Sequence, residues 1–188
     1  MEFCYLELGA CPYYDMGMQE YVTDAVSLRK FSQGDLDGRY VLFTKRFGKI
    51  VGKAKSSRKI TSKLAPHLEP GTIAKVRFIE SPGTQIIDAL KEGTATASLL
   101  DLHFLSMLLP EGQPEPDLWD MLQEGSFAWT DALAALGWDP EGARCVSCGV
   151  RPGVHFYLPR QEFFCDVCIG KLPSKVRQSA VLSLHVPV

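Results

Sequence analysis

Two Cys-x2-Cys pairs constrain this chain more than any other feature: Cys145-Val-Ser-Cys148 and, after sixteen intervening residues, Cys165-Asp-Val-Cys168. Each short spacer places two thiolates on one side of a tetrahedral ion, so the pairs together supply four ligands to one structural Zn²⁺ per chain. Gly149 follows the first pair, where a knuckle turn needs unusual backbone freedom, and residues 155–158 read as a short strand or hairpin arm leading to the second pair. The competing readings are four reduced cysteines in a core or a disulfide. A disulfide is disfavoured because no secretory signal precedes the chain and Cys4 and Cys11, the other two cysteines, are unpatterned small apolar residues. A closed Cys4 site leaves no ligand position open to water, so the motif points to architecture before catalysis.

Charge divides the chain. The 188 residues carry a formal net charge of only -2, yet the stretch from Lys45 to Arg77 holds ten basic residues and one acid, Glu69. From Asp88 to Glu141 there are eleven acids and one base, Lys91. A basic front therefore precedes an acidic middle. No run of eighteen apolar residues occurs, and the opening residues lack a basic region ahead of an apolar one, so the expectation is a cytoplasmic protein without a membrane span.

Residues 1–20 read as an N-terminal extension or an edge strand. From Tyr21 the alternation is clearer. Tyr21 to Leu28 reads as a strand, Asp35-Leu36-Asp37-Gly38 as a turn, Arg39 to Thr44 as a second strand, and Ile50 to Lys55 as a third beyond the Phe47-Gly48 turn. A helical turn near Ser62 to Leu68 precedes strands at Thr72 to Ile79 and Gln85 to Leu90, separated by Pro82-Gly83. Five short strands with one small helix before the fourth predict a five-stranded OB-type barrel over residues 21–90.

Basic side chains recur where a nucleic acid could use them. Lys53 and Lys55 share one strand face, as do Lys75 and Arg77, because side-chain direction repeats every two residues. Lys45, Arg46 and Lys49 cluster at a hairpin, and Arg58, Lys59 and Lys63 lie in or beside a loop. Such residues neutralise phosphates without reading base identity. Tyr40, Phe43, Phe47 and Phe78 are the neighbouring aromatics that could stack on bases or fill the core, with Phe47 the best placed for exposure because it occupies a turn. A solvated face and an acidic protein partner are the other readings of the basic run.

Beyond Leu90 the period becomes helical. Thr94 to Leu109 carries Ala97, Leu100, Phe104 and Leu108 on one stripe, widened by Leu105 and interrupted by Asp101. Shorter helices follow at Leu118 to Gln123 and Phe127 to Leu136, and a last helix is expected from Pro173 through Leu184, with Val176, Ala180 and Leu184 on one side. The fold class is therefore α+β: the barrel, then a small helical domain over residues 91–188 carrying the zinc knuckle at 145–168.

The arrangement resembles the RecO family of bacterial DNA repair proteins. Tyr40-Val-Leu-Phe-Thr-Lys-Arg-Phe-Gly48 is similar to the family's strand and turn, Gly52-Lys-Ala-Lys-Ser-Ser-Arg-Lys59 to its glycine-and-basic segment, and Ser62-Lys-Leu with Leu68-Glu-Pro70 to its small helix and the strand entry after it. Cys145, Cys148, Cys165 and Cys168 match its zinc knuckles, so the resemblance spans roughly residues 21–168. It implies a nucleoid-associated mediator that binds single- and double-stranded DNA. Such a protein anneals complementary strands and, with RecR, assists exchange of the single-strand-binding protein for RecA. Family members carry a longer helical region beyond the zinc site and fewer residues ahead of the barrel. The resemblance therefore implies a compact member with reduced contacts to RecR and the single-strand-binding protein.

No catalytic set emerges. His67, His103, His155 and His185 are dispersed, no phosphate-binding loop motif occurs, and the acids of the middle segment read as the solvated faces of amphipathic helices. The expectation is a DNA-binding mediator without covalent catalysis. The alternative is a zinc-stabilised adaptor whose basic face meets an acidic protein.

Overall fold

The computed structural model describes residues 19–81 and 83–184. The expectations for residues 1–18, including those for Cys4 and Cys11, lie outside the described residues, as does His185. Five strands come first: β1 (Gln19–Gln33), β2 (Asp37–Thr44), β3 (Gly48–Ala54), β4 (Thr72–Ser81) and β5 (Gly83–Thr94). A 3-10 turn at Ala65–His67 sits before β4. Three helices follow, α1 (Leu99–Leu108), α2 (Pro116–Gln123) and α3 (Trp129–Ala135). The chain ends with β6 (His155–Tyr157), β7 (Glu162–Phe164), α4 (Asp166–Ile169), α5 (Ser174–Ala180) and β8 (Val181–Ser183). Among the described residues no helix is long and apolar enough to cross a membrane.

The first five strands form one mixed sheet in the order β1-β2-β3-β5-β4, with β4 pairing back onto β1. All ladders are antiparallel except β3 with β5, which is parallel and only three pairs long, Gly52↔Thr84 to Ala54↔Ile86. Tyr40 to Thr44 on β2 are buried without interruption, as are Ala25 to Leu28 on β1. Consecutive burial means that both faces of these strands are covered, since alternate side chains point to opposite sides. On the inner face Ala25, Tyr40, Leu42, Ala54, Leu68, Val76 and Ile86 share one core. On the outer face Val26, Leu28, Val41, Phe43 and Ile73 pack with Leu102, Leu105, Leu109, Leu118, Trp119 and Leu122 from the helices.

The expected fold class is corrected in its detail. The five strands close into a barrel, β1-β2-β3-β5-β4 and back to β1, but the β3–β5 seam that closes it is only three pairs long. Beyond the three-pair seam, the first half of β3 leaves β5 and is covered instead by the segment after α1. There Lys49 bridges Glu111 and the Gly112 N–H donates to the Lys49 carbonyl at 3.0 Å. Gly48, at φ +64°, makes this approach possible, because a Cβ there would stand 2.0 Å from the Gln113 carbonyl oxygen. The later region is not purely helical either: the cysteine pairs sit beside a three-stranded sheet, β7-β6-β8.

The helix limits also differ from the sequence expectation. β5 runs to Thr94, so α1 begins only at Leu99, where Ser98 and Asp101 form a reciprocal capping box. Leu100, expected on the buried stripe, is exposed, while Leu102 is fully buried. The last helix stops at Ala180 because residues 181–183 pair with β6. α1 joins the two halves of the molecule. Leu102, Leu105 and Leu109 face the large sheet, whereas Phe104 and Leu108 pack with Phe156, Leu158, Leu182 and Leu184 of the smaller one.

Candidate metal centre and basic surface

The four expected metal ligands come together. The Sγ atoms of Cys145, Cys148, Cys165 and Cys168 all lie within 4.8 Å of one another, and those of Cys148 and Cys165 are 3.7 Å apart. Local backbone bonds explain the convergence. The Gly149 N–H donates to the Cys145 carbonyl at 2.8 Å, and the Cys145 N–H to the Val150 carbonyl at 2.9 Å, closing the first knuckle. Gly149 takes φ +74°, a left-handed conformation that glycine adopts without a Cβ penalty. Val146 N–H donates to the Phe163 carbonyl and so ties this knuckle to β7, which delivers Cys165 to the start of α4. Cys145, Cys165 and Cys168 are buried with Phe164 and Ile169, and Cys148 is exposed.

Without a cation, four thiols this close cannot all ionise. Burial opposes a Cys145 thiolate, but backbone N–H groups from Cys165, Cys148 and Ser147 outweigh it and bring its pKa down to about 6. Cys148 receives help from the Val150 backbone, yet the neighbouring cysteines push it up to about 12. One proton leaves the cluster readily and the next is retained, which is the electrostatic situation a bound cation relieves. His155 is not a fifth ligand. Its ring bridges Asp166 Oδ1 at 2.8 Å and Ser183 Oγ at 3.2 Å, fastening α4 and β8 to β6.

The ten basic residues singled out in the sequence fall in three places. At one end of the large sheet, Lys53, Lys55, Arg58, Lys59 and Lys63 lie on β3 and the loop beyond it. That loop folds onto the β1–β2 turn: Arg58 N–H donates to the Leu36 carbonyl and its Nη1 to the Gly34 carbonyl, both at 2.9 Å. At the other end of β2, roughly 20 Å away along the strand, are Lys45, Arg46 and Lys49. Lys49 Nζ donates to the Ser106 carbonyl at 3.3 Å, and the Arg46 guanidinium lies 5.1 Å from the Phe47 ring centroid. Lys75 and Arg77 stand on β4 opposite carboxylates. Lys75 is 3.2 Å from Glu92 and 3.9 Å from Asp24, and Arg77 is 3.1 Å from Glu20.

The first of these places holds further cations that the sequence pattern does not single out. Cross-strand pairing sets Lys30 beside Tyr40, Phe31 beside Arg39, and Arg39 beside Lys53. Lys30 and Arg39 thereby join the five already there, against Asp35, Asp37 and Glu69. Lys53 is paired with Asp37 at 2.8 Å, and this contact together with the Ser56 N–H holds the Asp37 carboxyl below its usual range. Lys30 and Arg39 precede the dense basic run, and their signal lay in flanking the Asp35–Gly38 turn, which folds them onto it.

Of the aromatics that could stack on bases or fill the core, Tyr40, Phe43 and Phe78 fill the core; the expectation for Phe47 is corrected, because it is half-buried with its ring 5.1 Å from Tyr21 and 5.6 Å from Phe78. Phe31 is the exposed ring at the basic end, 40% accessible, with the Arg29 guanidinium 4.3 Å from its centroid.

Residues 18–98 match the family model described as Recombination protein O N terminal. The chain is also similar to the DNA repair protein RecO of Bacillus pumilus (strain SAFR-032), 25% identical over 183 residues, which cover 82% of this chain and 70% of the relative. The protein of the same name from Dehalococcoides mccartyi (strain ATCC BAA-2100 / JCM 16839 / KCTC 5957 / BAV1) is 28% identical over 177 residues, 79% of this chain and 70% of the relative. That from Thermodesulfovibrio yellowstonii (strain ATCC 51303 / DSM 11347 / YP87) is 26% identical with the same coverage. The chain thus spans about 70% of the length of these relatives.

Proposed function

We propose that this chain is a RecO-type mediator of recombinational repair, which holds DNA by its phosphates so that complementary strands can anneal and a recombinase can be loaded. The observation that carries this reading is the collection of Lys30, Arg39, Lys53, Lys55, Arg58, Lys59 and Lys63 at one end of the sheet that falls within the matched residues 18–98. Long, mobile cations of this kind attract a phosphate backbone without base identity and without a covalent step. Lys30, Lys53, Lys75 and Arg77 contribute less, because each already faces a carboxylate, which leaves Lys55, Arg58, Lys59 and Lys63 as the main phosphate contacts. Single- and double-stranded DNA are the ligands, and RecR, the single-strand-binding protein and RecA are the partners this reading implies.

The metal is Zn²⁺, held by Cys145, Cys148, Cys165 and Cys168. Tetrahedral zinc with bonds of about 2.3 Å sets its sulfurs about 3.8 Å apart, and the 3.7 Å between Cys148 and Cys165 fits that spacing. With all four positions taken by thiolates the ion is structural. It fastens the first knuckle to α4 and thereby completes the small core around Phe164 and Ile169.

The test is annealing. The zinc-loaded protein is expected to accelerate pairing of complementary single strands, and to lose this activity when Lys55, Arg58, Lys59 and Lys63 are changed to alanine. A folded protein that neither binds nor anneals DNA, yet binds one acidic protein, would replace the reading with that of an adaptor.

A further inference from the structure

A cavity of about 380 Å³ opens at the basic end, between the β1–β2 hairpin and the loop after β3. Lys30, Tyr40, Ser57, Arg58, Lys59 and Glu69 line it. Ser57 is 2% exposed, and its Oγ is a buried polar side-chain atom with no hydrogen-bond partner among the described residues. Leaving a hydroxyl buried and unpaired is unfavourable, and such an atom beside a cavity marks the place of a missing partner. Gly38 lets these side chains approach the backbone: a Cβ there would lie 2.5 Å from Ser57 Oγ and 3.0 Å from the Tyr40 hydroxyl, so both hydroxyls pack over the glycine at the edge of the cavity.

The charges identify the ligand class. Lys30, Arg58 and Lys59 face a single carboxylate, Glu69, which is paired with Lys30. Arg58 is anchored by one Nη1 bond to the Gly34 carbonyl, which leaves the remaining donors of its fork for another acceptor. An excess of two positive charges matches a phosphate monoester, which carries about -1.5 to -2 at neutral pH, better than a diester with one charge. Phe31 lines both this cavity and a neighbouring one formed with Arg39, Val41 and Val51, and Arg29 covers one side of its ring. A nucleoside attached to the phosphate would meet that ring.

We infer that this pocket binds a phosphate monoester carried by a nucleoside, at the end of a DNA strand or on a free nucleotide. The pocket stands on its own geometry, and only the strand-end source rests on the function proposed above. The experiment compares short single strands of one sequence bearing a 5′-phosphate, a 3′-phosphate or hydroxyls at both ends, with inorganic phosphate and a nucleoside 5′-monophosphate as competitors. A phosphorylated end is expected to bind about tenfold more tightly, and Ser57→Ala, a small change that leaves the loop's backbone bonds in place, is expected to abolish that preference. Lys45→Ala at the far end is expected to leave the ratio unchanged.

Equal affinity for all three strands without competition by the nucleotide would overturn the pocket while leaving DNA binding intact. A preference that survives in a folded Ser57→Ala variant would overturn it as well. Nucleotide binding by a protein indifferent to DNA would uphold the pocket with a free nucleotide as its ligand, and would remove the mediator function.

Discussion

Trp129 donates its indole Nε1–H to Asp101 Oδ1 across 2.7 Å, while Asp101 Oδ2 accepts from the Ser98 hydroxyl at 2.6 Å and the Ser98 backbone N–H at 3.2 Å. One carboxylate thus caps α1 and fixes α3 against it. Replacing Asp101 with alanine removes the carboxylate half of the capping box, leaving the Ser98 hydroxyl's bond to the residue-101 N–H, and strips the indole N–H of its acceptor. The expected loss is about 1–3 kcal/mol of unfolding free energy, read as a lower urea midpoint with an unchanged slope. Asp101→Asn, which retains an acceptor, is expected to lose less.

Gly48 tests the coupling of the β2–β3 turn to the segment after α1. Alanine there requires a left-handed backbone and places its Cβ against the Gln113 backbone. A loss of at least about 1 kcal/mol is expected in chemical denaturation, whereas Gly34→Ala, also at positive φ but with no heavy atom near its Cβ, is expected to lose less.

The cysteine cluster predicts how metal and protons compete. Cys148, near 12, lies above the 9.0 of an ordinary thiol, so its folded-state preference is for the proton up to that value and is lost as pH rises through 12. Cys145, near 6, prefers the thiolate, and its contribution is complete above 9 and lost as pH falls through 6. Metal binding at neutral pH must therefore displace at least the Cys148 proton. Zinc added to metal-free protein is expected to release protons in buffer-dependent calorimetry and to bind more weakly at pH 6 than at pH 8. About one zinc per chain is expected by elemental analysis, and Cys145→Ser is expected to lower both zinc content and stability.

The strands and the cysteine ligands were legible in the sequence because each rests on local spacing: alternation around recognisable turns, and two residues between paired thiols. α1 was harder for a physical reason. A helix held between two cores has no single apolar stripe, and Leu99, Leu100, Leu102, Leu105 and Leu108 allow more than one phase. Only packing against Phe43 and Trp119 on one side and Phe156 and Leu182 on the other selects Leu102 over Leu100. β8 carries no strand signal of its own because its pairing with β6 is made across more than twenty residues of chain. Lys30, Arg39 and Phe31 are not marked as part of the basic surface by the sequence, because strand pairing, not sequence proximity, brings them there.

The most direct measurement of the central claim is the affinity of the zinc-loaded protein for unrelated single strands across a salt series. The intact protein would be compared with a variant carrying alanine at Lys55, Arg58, Lys59 and Lys63 and with one carrying alanine at Lys75 and Arg77. Sequence-indifferent binding that weakens with salt is expected. Its log–log slope should become shallower by up to about 3 in the first variant, at about 0.7 per phosphate contact on single strands, and should change little in the second. Binding by a folded protein whose slope is the same in the intact chain and the first variant, or the absence of binding altogether, would contradict the placement of DNA at this end of the sheet.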